Sequence, residues 1–244
     1  MLKLFSALLF FYATYSLSTE INIYDNEKNK VNILLAEKSK NKIQLGLEFL
    51  LDADWKVYWK YPGDVGSGPS LQIAEGSKKH RINIQWPYPN ELYEEEVNLT
   101  SRVYYNHVIL PTEITFFDLS QSKNHKIKFI LDFQICKEIC IPVNQDFIID
   151  LQPENYIDNK NIEKIKIYKS YVPKDIKFSK NLKGNNITFK SETVIIELDK
   201  DNKKKLLNNE KDNFIFLKNN SLGTTRLSKV EEDEEKIYFF FKGC

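Results

Sequence analysis

The sequence predicts an all-β protein, an antiparallel β-sandwich followed by a second, smaller β-rich domain. Two observations carry this. Apolar residues recur at every second position in run after run, which is the mark of half-buried strands. Turn chemistry built on Gly, Pro and Asp separates the runs, and many short strands broken in this way read as a sandwich. The length of 244 residues allows one large domain or two small ones.

Taken in chain order, Met1–Lys3 is a short basic start, and Leu4–Tyr12 is apolar apart from Ser6. Ser16-Leu17-Ser18 places small residues at the −3 and −1 positions of a cleavage site. This is the plan of a secretory signal peptide over residues 1–18. The apolar run falls well short of the roughly 18–20 residues that span a bilayer, and no later stretch reaches that length. An uncleaved N-terminal anchor is the alternative. The chain after residue 18 is therefore expected to be soluble and outside the cytoplasm. The full sequence has 35 basic residues against 34 acidic ones, and residues 1–18 hold one Lys and no acid, so 34 face 34 after residue 18. That neutrality gives no electrostatic case for nucleic acid or an anionic membrane.

The predicted sandwich occupies residues 19–153. Ile43, Leu45, Leu47 and Phe49 alternate with Lys42, Gln44, Gly46 and Glu48. Trp55, Val57 and Trp59 alternate with Lys56, Tyr58 and Lys60; Ile82, Ile84 and Trp86 form another run, and Ile127, Phe129, Leu131, Phe133 and Ile135 the last. Breaks fall at Pro62-Gly63-Asp64, Gly66-Ser67-Gly68-Pro69, Pro87-Tyr88-Pro89 and Pro111. The polar stretch 154–164 reads as a linker or short helix. The second domain is expected over 165–244, with strands at Ile187–Phe189, Thr193–Leu198, Asn213–Leu217 and Ile237–Phe241. The charged insert Asp199–Asp212 reads as a solvated helix or loop, and Glu231–Glu235 as a solvated turn.

Three cysteines occur: Cys136, Cys140 and Cys244. Three residues separate the first two, which suits a tight hairpin. Directly opposed residues there have Cα atoms roughly 4.5–5.5 Å apart, within the range of a disulfide. If alternation continues without a bulge, Cys136 shares a solvent-side face with Lys128, Asp132 and Gln134, where a partner reaches it. A bridge across so short a loop constrains the unfolded chain little. Access and small stabilisation favour redox use over an inert hairpin disulfide. Copper or zinc held by the two thiolates and His80, His107 or His125 is the metal alternative, but no His stands at a recognisable ligand spacing. No metal or other cofactor is expected. Lys137 favours a thiolate at Cys136, and Glu138 opposes it.

Several segments, in order, resemble one family. They are Trp55-Lys56-Val57-Tyr58-Trp59-Lys60-Tyr61-Pro62-Gly63-Asp64-Val65-Gly66, Ile84-Gln85-Trp86-Pro87, Val108-Ile109-Leu110-Pro111 and Cys136-Lys137-Glu138-Ile139-Cys140-Ile141-Pro142. Over Ile43–Leu151 the chain resembles the N-terminal, periplasmic domain of the thiol:disulfide interchange protein DsbD, with a closer likeness to the branch of suppressor-of-copper-sensitivity proteins. The resemblance implies an immunoglobulin-like sandwich in the periplasm, and work in cytochrome c biogenesis or copper tolerance. It implies that Cys136 and Cys140 are the redox couple, with Cys140 favoured as the attacking thiol, and that Tyr104 or Tyr105 shields the pair. Trp55, Trp59 and Trp86 read as core residues, and Gly63 and Asp64 as a tight turn. The implied partners are a membrane electron donor of the DsbD/CcdA type and periplasmic thioredoxin-like or other disulfide-bearing proteins. The donor is separate because the sequence holds neither a membrane domain nor a Cys-x-x-Cys domain. Cys244 reads as a third redox thiol, a site for an intermolecular disulfide, or a mark of truncation.

Overall fold

The computed structural model describes residues 20–39, 41–74, 79–117, 126–150, 152, 155–173, 186–190, 193–199 and 225–243. The signal-peptide segment, the Asn213–Leu217 strand, most of the 199–212 insert, His125 and Cys244 lie outside them. Two antiparallel sheets form the sandwich. The first runs β1 (Glu20–Asp25), β2 (Lys30–Ser39), β3 (Lys42–Leu50), β9 (His107–Phe116) and β6 (His80–Ile84). A short β12 (Tyr156–Ile157) adds to β2. The second runs β11 (Cys140–Asp150), β10 (Lys126–Cys136), β4 (Lys56–Gly63), β8 (Leu99–Tyr105) and β7 (Asn90–Glu94), with β5 (Ser70–Ile73) also paired to β10. A third sheet joins β13 (Asn186–Lys190), β14 (Thr193–Asp199), β16 (Lys236–Gly243) and β15 (Thr225–Glu232).

The alternating residues meet between the first two sheets. Ile43, Leu45, Leu47 and Phe49 share one core with Val57, Trp59, Phe129, Leu131, Phe133 and Ile135, and Trp55 and Trp86 pack against its margin. Phe133 stands edge-on to Phe49 at 5.5 Å, and Phe129 stacks on Phe147 at 5.2 Å. Each fully buried apolar side chain of this size contributes about 1.5–3 kcal/mol relative to an exposed one.

The stretch read as a linker or short helix contains β12 and the first half of a helix, α1 (Asn159–Ser170). Asp158 caps it, accepting from Asn161 N at 3.1 Å. A bulge in β2 between Leu35 and Glu37 removes Ala36 from the ladder. The Ala36 carbonyl then accepts from Asp158 N at 2.7 Å, and the Leu35 carbonyl from Asn161 Nδ2 at 2.9 Å. Below this anchor Ile165 packs with Leu34, Ala36 and Ile109 on the outer face of the first sheet. Gly46 makes the approach possible, since a Cβ there would stand 2.7 Å from Ile109 and 3.0 Å from Ile165.

A polar seam completes the contact. Glu48, 3% exposed, accepts from His107 Nε2 at 3.1 Å and Asn32 Nδ2 at 3.0 Å, with Lys164 Nζ at 3.8 Å. Tyr168 OH lies 3.1 Å from His107 Nδ1 and donates to the His107 carbonyl at 3.3 Å. Burial alone would raise the Glu48 pKa, but the His107 and Asn32 hydrogen bonds and the Lys164 charge together hold it below the ordinary 4.5. A carboxylate with a depressed pKa stabilises the fold fully above its unfolded value, and that stabilisation is lost as pH falls through the folded value. Hydrogen-exchange protection of residues 159–170 is expected to decline as pH falls below about 4.5. In Glu48→Gln the same helix should be weaker throughout but lose this acid dependence. An unchanged acid profile in that variant would contradict the assignment.

Candidate functional site

The site is the closed end of one hairpin. β10 and β11 pair without a bulge from Lys126↔Asp150 to Cys136↔Cys140, and Lys137-Glu138-Ile139 makes the turn. The two cysteines are disulfide-bonded with Cα atoms 4.0 Å apart. Odd residues of β10 face the core. Even ones, from Lys126 to Cys136, face out, as the alternation predicts.

Exposure on that outer face differs from the expectation. Cys136 is 1% exposed, whereas Cys140 is exposed and lies between Ile139 (79%) and Ile141 (40%). The solvent-side register is correct, but Cys136 is not the reachable thiol. It is buried with Tyr58 and Val103, and Leu92 and Tyr105 pack against that group. Tyr58 is held from above by the loop after β4: a Cβ on Gly66 would stand 2.3 Å from the Tyr58 ring, and Gly66 has φ +90°. Only glycine meets both demands without strain. Asp64 anchors the same loop, accepting from Thr100 N at 2.8 Å while its own N–H donates to Thr100 O at 3.0 Å. Gly63, at φ +102°, turns the chain into it. The Tyr-x-x-x-x-Gly-Asp-x-Gly part of the sequence motif is thus the lid over one sulfur.

Charges around the pair are balanced. Lys56, register partner of Cys136, donates to the Lys137 carbonyl at 3.4 Å and stands 3.8 Å from Glu94. Lys137 pairs with Asp54 at 3.3 Å. Each lysine beside the cysteines therefore faces a carboxylate. Burial raises the Tyr105 pKa, helped by Glu94, Tyr58 and Asp54, and burial with Glu94 does the same at Tyr58. Both tyrosines are neutral donors at neutral pH.

The two sequence-predicted tyrosines separate. Tyr105 lies across from Lys56 on the cysteine face. Tyr104 points into the core and donates from its buried hydroxyl to the Pro87 carbonyl at 2.6 Å. Burial raises its pKa well above 10. His80 and His107 belong to the first sheet rather than the cysteine sheet. Among the described residues no group of three or more His, Cys, Asp or Glu converges on one point. The sequence reading assigns Tyr58, Val103 and Leu92 no place at the cysteines, where the fold puts them. Tyr58 alone carried a signal, since it alternates with Val57 and Trp59 and so must leave the core.

A β-sandwich with a disulfide closing one hairpin, one sulfur open and the other covered, has the form of a thiol–disulfide interchange domain. Residues 26–152, just over half the chain, match the family described as thiol:disulfide interchange protein DsbD, N-terminal, and the chain belongs to that family. Its sandwich is of the immunoglobulin-like type. Among solved structures, the N-terminal periplasmic domain of ScsB from Proteus mirabilis overlays with TM-score 0.59 at 13% identity, covering 91% of this chain and 83% of that one. The fold likeness thus reaches the suppressor-of-copper-sensitivity branch. The reduced N-terminal domain of DsbD from Neisseria meningitidis is 14% identical over 48% of this chain and 83% of its own, with TM-score 0.30. No curated protein matches the sequence significantly.

The lid makes a direct prediction. After reduction, alkylation of Cys136 is expected to be at least tenfold slower than that of Cys140, and Tyr58→Ala should speed Cys136 at least tenfold while costing about 3 kcal/mol of stability. Equal rates at the two thiols in the unaltered protein would contradict the lid.

Proposed function

We propose that the chain is a periplasmic electron relay that exchanges thiols and disulfides through Cys136 and Cys140. The unequal exposure of the two sulfurs carries this reading, because exchange needs one thiol that meets the partner and one that resolves the intermediate. In the reduced state the Cys140 thiolate attacks one sulfur of a partner disulfide. The partner's other sulfur leaves as a thiolate and takes up a proton. Cys136, already beside Cys140, then attacks the Cys140 sulfur and expels the partner's second thiolate. Two electrons have moved, the partner holds two thiols and the chain holds its bridge.

Reduction returns the pair to its starting state, with electrons from a membrane protein of the DsbD/CcdA type. The acceptors are thioredoxin-like or other disulfide-bearing proteins of the periplasm, which the chain reaches through the 1–18 signal peptide. Exposed Ile139 and Ile141 offer apolar contact around the attacking sulfur. Tyr58 and Tyr105 keep solvent thiols from the resolving one, with Tyr105 in the shielding role. A purely structural purpose is poorly served here, since closing a five-residue loop is worth about 2 kcal/mol by chain entropy against about 4.7 for a 100-residue loop.

The test is trapping. In a Cys244→Ser background, Cys136→Ser leaves Cys140 free and is expected to accumulate a mixed disulfide with an oxidised thioredoxin-like protein. Cys140→Ser should accumulate at least tenfold less. Equal trapping would overturn the assignment of roles, and trapping by neither would overturn the relay.

A further inference from the structure

Beside the disulfide, on the same face of the hairpin, lies a groove of about 450 Å³, within the size range of ligand sites. Gln134 and Pro142 form the register pair next to the cysteines on that face, and Asp132 and Asn144 form the pair after it. All four line the groove, with Ser67 and Gly68 lining it from the loop between β4 and β5 and Ser70 from the start of β5. At about 3.4 Å per residue the floor begins roughly 7 Å from the cysteines and reaches roughly 14 Å.

The groove exists because the sheet is interrupted there. β4 pairs with β10 only at Cys136, and β5 pairs with it only from Phe129 to Asp132. Between them Phe133, Gln134 and Ile135 have no strand partner on that edge among the described residues. The wall is preformed, because the loop that supplies it is fixed by Asp64 on Thr100 and by Gly66 against Tyr58.

We propose that this groove holds an extended stretch of the partner polypeptide, about four residues beside its reacting cysteine, and that Asp132 favours a cationic side chain in it. The inference rests on the relay reading and adds how a partner is held. A mixed disulfide requires it to come close, since bonded cysteines have Cα atoms within about 4.4–6.8 Å. The partner backbone must therefore pass the mouth of the groove. Its chemistry is that of peptide recognition: the side-chain amides of Gln134 and Asn144 both donate and accept, and a gap in a ladder admits an added strand. Among the described residues of the lining, Asp132 is the one ionisable side chain. It accepts a hydrogen bond from Asn144 Nδ2, which fixes its position on the floor.

The experiment uses the chain with Cys244→Ser, reduced and freed of reductant. Its exchange rate is measured against hydroxyethyl disulfide and against disulfide-linked peptides carrying Lys or Glu four residues on either side of the cysteine. The Lys peptide is expected to react at least fivefold faster than the Glu peptide, and Asp132→Lys should invert that order. Asn144→Trp, which fills the groove from an exposed position, should slow the Lys peptide at least tenfold while changing the small disulfide less than threefold. Circular dichroism and reoxidation of the pair establish that each variant is folded. Equal rates for the two peptides, or equal slowing of peptide and small disulfide, would overturn the groove and leave the relay standing. No exchange with any disulfide would overturn both.

Discussion

The unbroken register between β10 and β11 is the constraint on which the rest depends. Eleven successive pairs run from Lys126↔Asp150 to Cys136↔Cys140. A slip of one residue would exchange the two faces of the hairpin, moving Phe129, Leu131, Phe133 and Ile135 out of the core. The apolar set therefore fixes the pairing, and the pairing fixes the cysteines opposite each other. The core holds the sulfurs in place from the far side of the sheet, without touching them.

What makes the two sulfurs different is not the hairpin but its neighbours. β4 and β8 bring Tyr58 and Val103 over Cys136, while Cys140 lies on β11, the edge strand of that sheet. An edge position leaves one side open to another molecule. The same arrangement accounts for the turn after β4: Gly63, Asp64 and Gly66 bend the chain back so that Gly66 rests on the Tyr58 ring. Motif residues that look like turn chemistry in the sequence thereby determine sulfur access. Lys56 and Lys137 each face a carboxylate, so the two cysteines differ in exposure more than in the charge beside them.

The strands that the sequence marks most plainly are those whose alternation runs uninterrupted, β3 and β10 among them. Where a bulge shifts the period, the signal weakens. β15 has its register shift between Leu227 and Lys229, so no period-2 pattern marks it in the sequence and its Glu231–Glu232 end reads as part of a turn. The helix α1 was half concealed in a polar stretch because its docking rests on few apolar residues, chiefly Ile165, and on backbone carbonyls freed by the β2 bulge. The cysteine pair and its face were legible from spacing and parity. The burial of Cys136 was not, since its cover comes from strands 30 to 80 residues away in sequence whose alignment no local pattern reveals. Parity also separates Tyr104 from Tyr105, but only once the pairing Lys56↔Tyr105 is known.

The central claim is that the bridge is built to be made and broken. Its most direct test is the reduction potential of the Cys136/Cys140 pair, measured in the folded chain with Cys244→Ser. The account predicts a value of roughly −200 mV, among exchange-active couples. A value well below about −300 mV, with no equilibration against thioredoxin-like proteins, is the behaviour of an inert structural bridge and would contradict it.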